Sequence, residues 1–264
     1  MIKGIYTLAN DAVYDQLVAL LNSIEANYGR DVAVCVIPYD DKTDLVRREI
    51  AKRSQVTLFD DAESIARWEA FAKSAWNIKP KVYGLRPTTW GRHRLGVHRK
   101  FCAFDGLFDR FVFMDADTLL MQPPDFVFDK LNDNDFVVYD YQFKDPGHVY
   151  NLKSEKLYGV FSEERISARI FCSGFFASRK GLFDEGKLSK LMQNLENGEA
   201  DLLYPFAPEQ SLLNYMLMRS DVSIYNFALD LPYDKRTGNS VTSTHFEEKE
   251  HILYDKGVRL TYLH

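Results

Sequence analysis

Two carboxylates two residues apart, Asp115 and Asp117, follow directly on the apolar run Phe111-Val112-Phe113-Met114. On an extended backbone, side chains at i and i+2 point the same way, so the end of a strand can present both acids to one partner. Such a pair suits a hard cation. Magnesium and manganese take carboxylate, water and phosphate oxygens, and need only one or two protein carboxylates when a substrate supplies the remaining ligands. The ion would offset the charge that develops on a leaving diphosphate. The competing reading is an apolar strand that simply ends in a solvated Asp-x-Asp turn. Against it, Thr118-Leu119-Leu120 continues the apolar context beyond the acids. The carboxylates therefore leave a buried strand, where unpaired charge is costly.

A second feature lies just upstream. Between Ala70 and Phe104 stand eight basic residues, Lys73, Lys79, Lys81, Arg86, Arg92, Arg94, Arg99 and Lys100, with no Asp or Glu among them. In a chain of net charge -5 that asymmetry marks a local positive field beside the acids, as a diphosphate site requires. Arg99 or Lys100 is placed to reach the phosphates. The alternative for any single one of these residues is a solvated basic face.

The elements that must position these groups alternate. Residues 2–8 have the composition of a buried strand, and Asn10 then caps an amphipathic run over 11–27 that Gly29 closes. The unit repeats as strand 32–37 and helix 43–53, and again as strand 55–59 and a helix from Asp60 to about Trp76, opened by a capping box of Asp60 and Glu63. Residues 77–96 lapse into Pro, Gly, Trp, Arg and His and read as a functional loop. A helix over 98–108 leads to a short strand, 110–114, that delivers the two acids. Beyond Pro123-Pro124, a strand at 135–139 and an irregular aromatic stretch at 141–166, a possible part of an acceptor site, precede one or two strands at 168–178 interrupted at Ser173-Gly174. Helices follow at 181–197 and 208–218, and short strands at 223–227 and 258–263. Strands alternating with helices imply an α/β fold with a mainly parallel central sheet flanked by helices. At 264 residues with no linker or repeat, one domain over 1–264 is expected.

In order along the chain, three segments resemble a known family. They are the Asp115-Ala116-Asp117 strand end after a basic helix, Phe171-Cys172-Ser173-Gly174-Phe175-Phe176, and Glu209-Gln210-Ser211-Leu212-Leu213-Asn214. They are similar to the Asp-x-Asp, Asn-Ser-Gly and Asp-Gln-Asp-x-Leu-Asn segments of the glycogenin and galactosyltransferase group of retaining GT-A glycosyltransferases. The resemblance implies a GT-A fold and transfer of a hexose from a nucleotide-sugar, a UDP-sugar foremost, to a hydroxyl acceptor. It implies that Tyr6, Thr7, Leu8 and Asn10 line a uracil and ribose pocket at the end of the first strand, where open α/β sheets bind ligands. It implies further that Arg99 or Lys100 contacts the donor and that Asp115 and Asp117 bind manganese or magnesium. Ser173 and Gly174 would border the donor sugar, and Gln210 with Glu209 would sit beside the anomeric carbon.

The departures bear on chemistry. Cys172 stands where the family has Asn, and Glu209 and Ser211 replace the two Asp residues beside the Gln. The family's late His-x-x-Gly-x-x-Lys segment, whose His completes the metal shell, has no full counterpart. His264 is the first choice for that ligand and His245 the second.

Other classes fit less well. A haloacid-dehalogenase-like phosphatase also uses an Asp-x-Asp, but near its chain start and followed by Gly-Thr. A nucleotidyltransferase would carry a Gly-rich loop after its first strand, whereas Leu8-Ala9-Asn10-Asp11 has no glycine. A non-catalytic sugar-nucleotide or glycan-binding module is the non-enzyme alternative, with Trp68, Trp76 and Trp90 as stacking surfaces. A sequence pI near 5.7 argues against nucleic acid as a partner. Cys35, Cys102 and Cys172 read as reduced core thiols. With no membrane-length apolar run and no signal peptide, a cytoplasmic location without an integral membrane segment is expected.

Overall fold

The computed structural model of the protein describes residues 1–78 and 95–264. Its central sheet is built from β1 (Lys3–Ala9), β2 (Val34–Pro38), β3 (Val56–Leu58) and β4 (Arg110–Met114), then, past a short β5 (Leu119–Leu120), from β6 (Phe136–Val138), β7 (Phe175–Arg179) and β8 (Ile224–Asn226). The strand order is β3-β2-β1-β4-β7-β6-β8. All neighbours pair parallel except β7, which runs antiparallel to both β4 and β6. The expected mainly parallel sheet flanked by helices is thus what forms.

The strands are largely apolar because both faces are covered. In β1, Tyr6 and Leu8 enter one core cluster while Ile5 and Ala9 enter the other; in β4, Phe111 and Phe113 part from Val112 and Met114 in the same way. The helix Ala62–Asn77, the 3-10 helix Gly96–Phe104 and the helices Glu185–Glu196 and Pro208–Arg219 cover the first face. The helices Tyr14–Asn27, Asp44–Ile50 and Asp125–Lys130 cover the second. Trp68 is fully buried on the first face and donates to Asp105, so it belongs to the core rather than to a stacking surface. Trp90 and most of the 77–96 loop, including Lys79, Lys81, Arg86, Arg92 and Arg94, fall outside the described residues.

Several expected elements shift, each for a local reason. Asn10 caps only a 3-10 turn, accepting from Ala12 N at 3.1 Å, before the helix Tyr14–Asn27 begins. The third helix is capped by Asp61, not Asp60, because it is the Asp61 carboxylate that accepts from Ser64 N. The helix expected over 98–108 is a 3-10 helix ending at Phe104; Gly96 lets it approach β2, since a Cβ there would collide with the Tyr39 carbonyl. The first part of the strand expected at 168–178 is instead the end of the helix Glu163–Arg169, capped by Ser162, and only Phe175–Arg179 is extended.

The chain finishes in a ribbon. Strands β9 (Glu247–Lys249), β10 (Ile252–Asp255) and β11 (Val258–Arg259) form a small antiparallel sheet, and β12 (Tyr262–Leu263) pairs with β5. No helix among the described residues is long and apolar enough to cross a membrane.

Candidate active site

Strand β4 ends at Met114, so the two acids leave it in a turn and not on an extended backbone. Asp115 O accepts from Thr118 N at 3.1 Å and from the Thr118 hydroxyl at 2.7 Å. The same-face argument for residues i and i+2 therefore does not apply. What gathers the ligands is long-range pairing. Leu263 of β12 stands opposite Leu119 of β5, two residues beyond Asp117, which brings His264 alongside the turn. Stacking of Tyr262 on Phe175, with ring centroids 4.1 Å apart, and a 2.9 Å hydrogen bond from the Tyr262 hydroxyl to Tyr139 O fix the ribbon against the sheet. One potential ligand atom from each of Asp115, Asp117 and His264 then lies within 4.8 Å of the others. His264 Nε2 is 3.7 Å from Asp117 Oδ1. His245, the second choice, is elsewhere, 3.5 Å from Asp255.

Gly174 makes room for the imidazole. A Cβ at that position would stand 2.5 Å from His264 Cε1, closer than any real contact. The Gly174 carbonyl meanwhile accepts from Asp115 N at 2.8 Å, tying the Ser-Gly segment to the acid turn. Replacing Gly174 with Ala is therefore expected to push His264 out of position and weaken manganese binding about tenfold or more, as misoriented ligands do. Calorimetric titration of manganese checks this; an unchanged dissociation constant would remove His264 from the ligand set.

The 3-10 helix decides between the two basic candidates. Arg99 is engaged in a 2.6 Å ion pair with Glu69 and donates to Pro38 O, a structural clamp between elements. Lys100 points inward and is fully buried. Its ammonium meets Asp115 Oδ1 at 3.1 Å, the Ser173 carbonyl and hydroxyl at 3.4 Å, and Glu209 at 3.9 Å, above the face of Phe113. Burial alone would depress the Lys100 ammonium, but Asp115 and Glu209 hold it above its ordinary range.

The other expected residues divide. Leu8 and Asn10 line a cleft of about 360 Å³ together with Ala9, Val13, Gln16, Tyr39, Val97 and the acid turn. Asn10 is held there by Asp40, to which it donates at 3.0 Å. Tyr6 and Thr7 do not reach this cleft. Tyr6 is fully buried among Phe108 and Phe111, its hydroxyl accepting from Phe108 N at 3.3 Å. Thr7 is also fully buried. Gln210 is engaged at both ends, accepting from Ser173 N at 3.2 Å and donating to His148 O at 3.1 Å, so it braces the Ser-Gly segment. Glu209, which touches only the edge of the Lys100 ammonium at 3.9 Å, is the less committed of the two.

Sequence reasoning missed Asp140 and Tyr39. Asp140 follows β6 as Asp115 follows β4, and the two strands run the same way, so both acids emerge at one edge of the sheet. Burial raises the Asp140 carboxyl above its usual range, partly offset by donors at Cys172 and Gln142 and by the nearby His264. An apolar run ending in Asp was the available signal. Tyr39 likewise follows a strand end, after Pro38.

Among the described residues, these two carboxylates and one imidazole lie close enough together to hold an ion. They fit manganese or magnesium, which accept oxygen-rich shells, and the exposure of the Asp117 side chain, 54%, leaves it free to adjust its rotamer.

No family model and no curated protein sequence matches the chain. Solved structures do. The chain superposes on the galactosyltransferase LgtC, solved with donor and acceptor sugar analogs, with a TM-score of 0.50 and 15% identity over 84% of this chain and 72% of that one. Mouse xyloside xylosyltransferase 1, in its apo form, gives 0.56 at 9% identity over 84% of each chain. The WbbM bifunctional glycosyltransferase gives 0.51 at 15% identity over 91% of this chain and 40% of that one. The chain shares with these structures an α/β fold of the GT-A type.

Proposed function

We propose that the protein is a metal-dependent glycosyltransferase that moves a hexose from a nucleotide-sugar, a UDP-sugar foremost, to a hydroxyl acceptor with retention at the anomeric carbon. One observation carries the reading: Asp115, Asp117 and His264 converge beside a buried lysine, at the mouth of a cleft where β1 and β4 end. Ligands of open α/β sheets sit at that edge.

In this reading the apolar walls Leu8, Val13 and Val97, with the Tyr39 ring, hold the nucleoside. Asp115, Asp117 and His264 hold the manganese or magnesium ion, which when bound neutralises charge on the diphosphate. Lys100 keeps the Asp115 carboxylate oriented and gives the site a fixed positive charge from a buried position, where it acts more strongly than at the surface. Gln210 holds the Ser173-Gly174 segment against the donor sugar. Glu209, with Gln210, would sit beside the reacting carbon. The acceptor hydroxyl bonds to that carbon as its bond to the diphosphate oxygen breaks, and the hydroxyl proton passes to the diphosphate. The phosphatase alternative loses ground, because the acid motif follows the fourth strand along the chain and not the first.

The test is thermal stabilisation by UDP, GDP and CDP, each with and without manganese. A ligand at a hundred times its dissociation constant stabilises by about 2.7 kcal/mol, a rise of roughly 5 °C or more for a chain of this size. UDP with manganese is expected to give the largest rise, and UDP alone a smaller one. No rise with any of the three in the presence of manganese would refute the reading.

A further inference from the structure

His264 reaches the acid turn from a strand of only two residues, β12, and lies one residue beyond it. So short a pairing holds its neighbours weakly, since each ladder hydrogen bond contributes about 1 kcal/mol net. Continued past Leu263 and Leu119, the register sets His264 opposite Thr118, whose N–H and hydroxyl are both committed to Asp115 O. Both backbone groups of His264 are instead bound from the other side. Its N–H donates to Asn239 O at 2.7 Å, and its carbonyl accepts from Val241 N at 2.8 Å.

Residues 237–241 thus back a candidate metal ligand, and they need an anchor of their own. The Val241 side chain is exposed and supplies none. Thr237 N donates to the Tyr139 hydroxyl at 2.6 Å, which ties down the start of the stretch. The anchor nearest the imidazole is the side chain of Asn239. Its amide nitrogen donates to Tyr139 O at 3.1 Å and to the Tyr262 hydroxyl oxygen at 2.6 Å, which uses both of its N–H bonds. The Tyr262 hydroxyl in turn donates to the same Tyr139 carbonyl at 2.9 Å. Tyr139 directly follows β6 and, like Tyr262, is buried. One residue therefore grips His264 through its backbone and the central sheet through its side chain.

Gly174 and Asn239 do different things for the imidazole. Gly174 leaves the space that the ring occupies, whereas Asn239 fixes where the backbone carrying the ring stands. Ligands that are not held in orientation bind an ion less tightly. We infer that Asn239 is a positioning residue for the metal site, keeping His264 within reach of an ion shared by Asp115 and Asp117. This role rests on the metal-dependent reading of the corner, and the experiment separates the two.

The test is a titration of the full chain with manganese alone, followed by the paramagnetic resonance signal of the free ion. Asn239→Ala removes two hydrogen bonds from a half-buried side chain and leaves in place the carbonyl that His264 uses, so the variant should fold. It is expected to weaken manganese binding about tenfold, the scale of losing a partner that orients a ligand. Tyr262→Phe keeps the ring on Phe175 and removes the hydroxyl from the same network, so it should act in the same direction. A double-mutant cycle distinguishes positioning from a general loosening of the fold. In a chain already carrying His264→Ala, Asn239→Ala should cost no further affinity. Native affinity in Asn239→Ala, or the same loss with and without the His264 imidazole, would overturn the inference. A native chain that binds no manganese would end the metal reading and this role with it. A native chain that binds manganese but not UDP would leave Asn239 in its role and remove the transferase reading.

Discussion

Replacing Asp117 with Ala is expected to lower metal-dependent turnover about a thousandfold or more while leaving the melting temperature within about 2 °C of the native value. The first half follows from the ligand count. Among the described residues three potential ligand groups meet at the corner, so deleting one leaves an ion held mainly by substrate, and the several kcal/mol that metal ions contribute to such reactions are lost. The second half follows from exposure. The Asp117 side chain is 54% exposed and its contact with His264 is long, at 3.7 Å, so the fold does not lean on it. Asp115 would be a poorer choice for this experiment, because removing it also strands a buried ammonium. A variant that keeps its full manganese-dependent rate would take Asp117 out of the site. Activity lost together with a large fall in melting temperature would point to a structural role.

The second large effect is expected at Lys100. Methionine keeps the stem and removes the charge, so Lys100→Met isolates the ammonium. Breaking a buried ion pair by deleting one partner costs about 3–5 kcal/mol, and the lower end applies because the Asp115 side chain, 27% exposed, can regain some water. A loss of about 3 kcal/mol in urea unfolding is expected, with turnover down at least about a hundredfold, the scale of losing one fixed electrostatic group. Manganese separates the two effects. An ion beside Asp115 takes over the missing positive charge, so it should stabilise the variant more than the native chain. If manganese stabilises both equally, Lys100 and the metal do not share Asp115.

The β-α alternation was legible because its signals are local. The apolar, β-branched run at residues 34–37 and the aromatic, apolar run at 111–114 fit a sheet covered on both faces, and the acids after Met114 announce themselves by being charged at the end of such a run. The choice between Arg99 and Lys100 was not legible. Adjacent residues on a 3-10 helix lie roughly 120° apart, so the two cannot both point at the acids, but which one does depends on how closely Gly96 lets the helix approach Tyr39. Tyr6 could have been excluded from the cleft beforehand. Its face of β1 leads to the aromatic core and it lies three residues short of the strand's end, where Leu8, Ala9 and Asn10 are the groups that line the cleft.

His264 shows the limit from the other side. Its place depends on β12 pairing with β5 across more than half the chain, and on the Tyr262 ring lying against Phe175. Nothing in the spacing of Tyr262-Leu263-His264 records that register. Asp140 was passed over for a related reason: its alignment with Asp115 requires β7 to enter the sheet between β4 and β6, running opposite to both.

The most direct measurement is the anomalous signal from a crystal grown with UDP and manganese. Expected is one peak bonded to a carboxylate oxygen of Asp115, a carboxylate oxygen of Asp117 and the His264 imidazole, with pyrophosphate oxygens completing its shell and the uridine in the cleft beside Leu8 and Asn10. UDP bound with no peak at this corner, or a peak there with the nucleotide elsewhere, would contradict a shared ion.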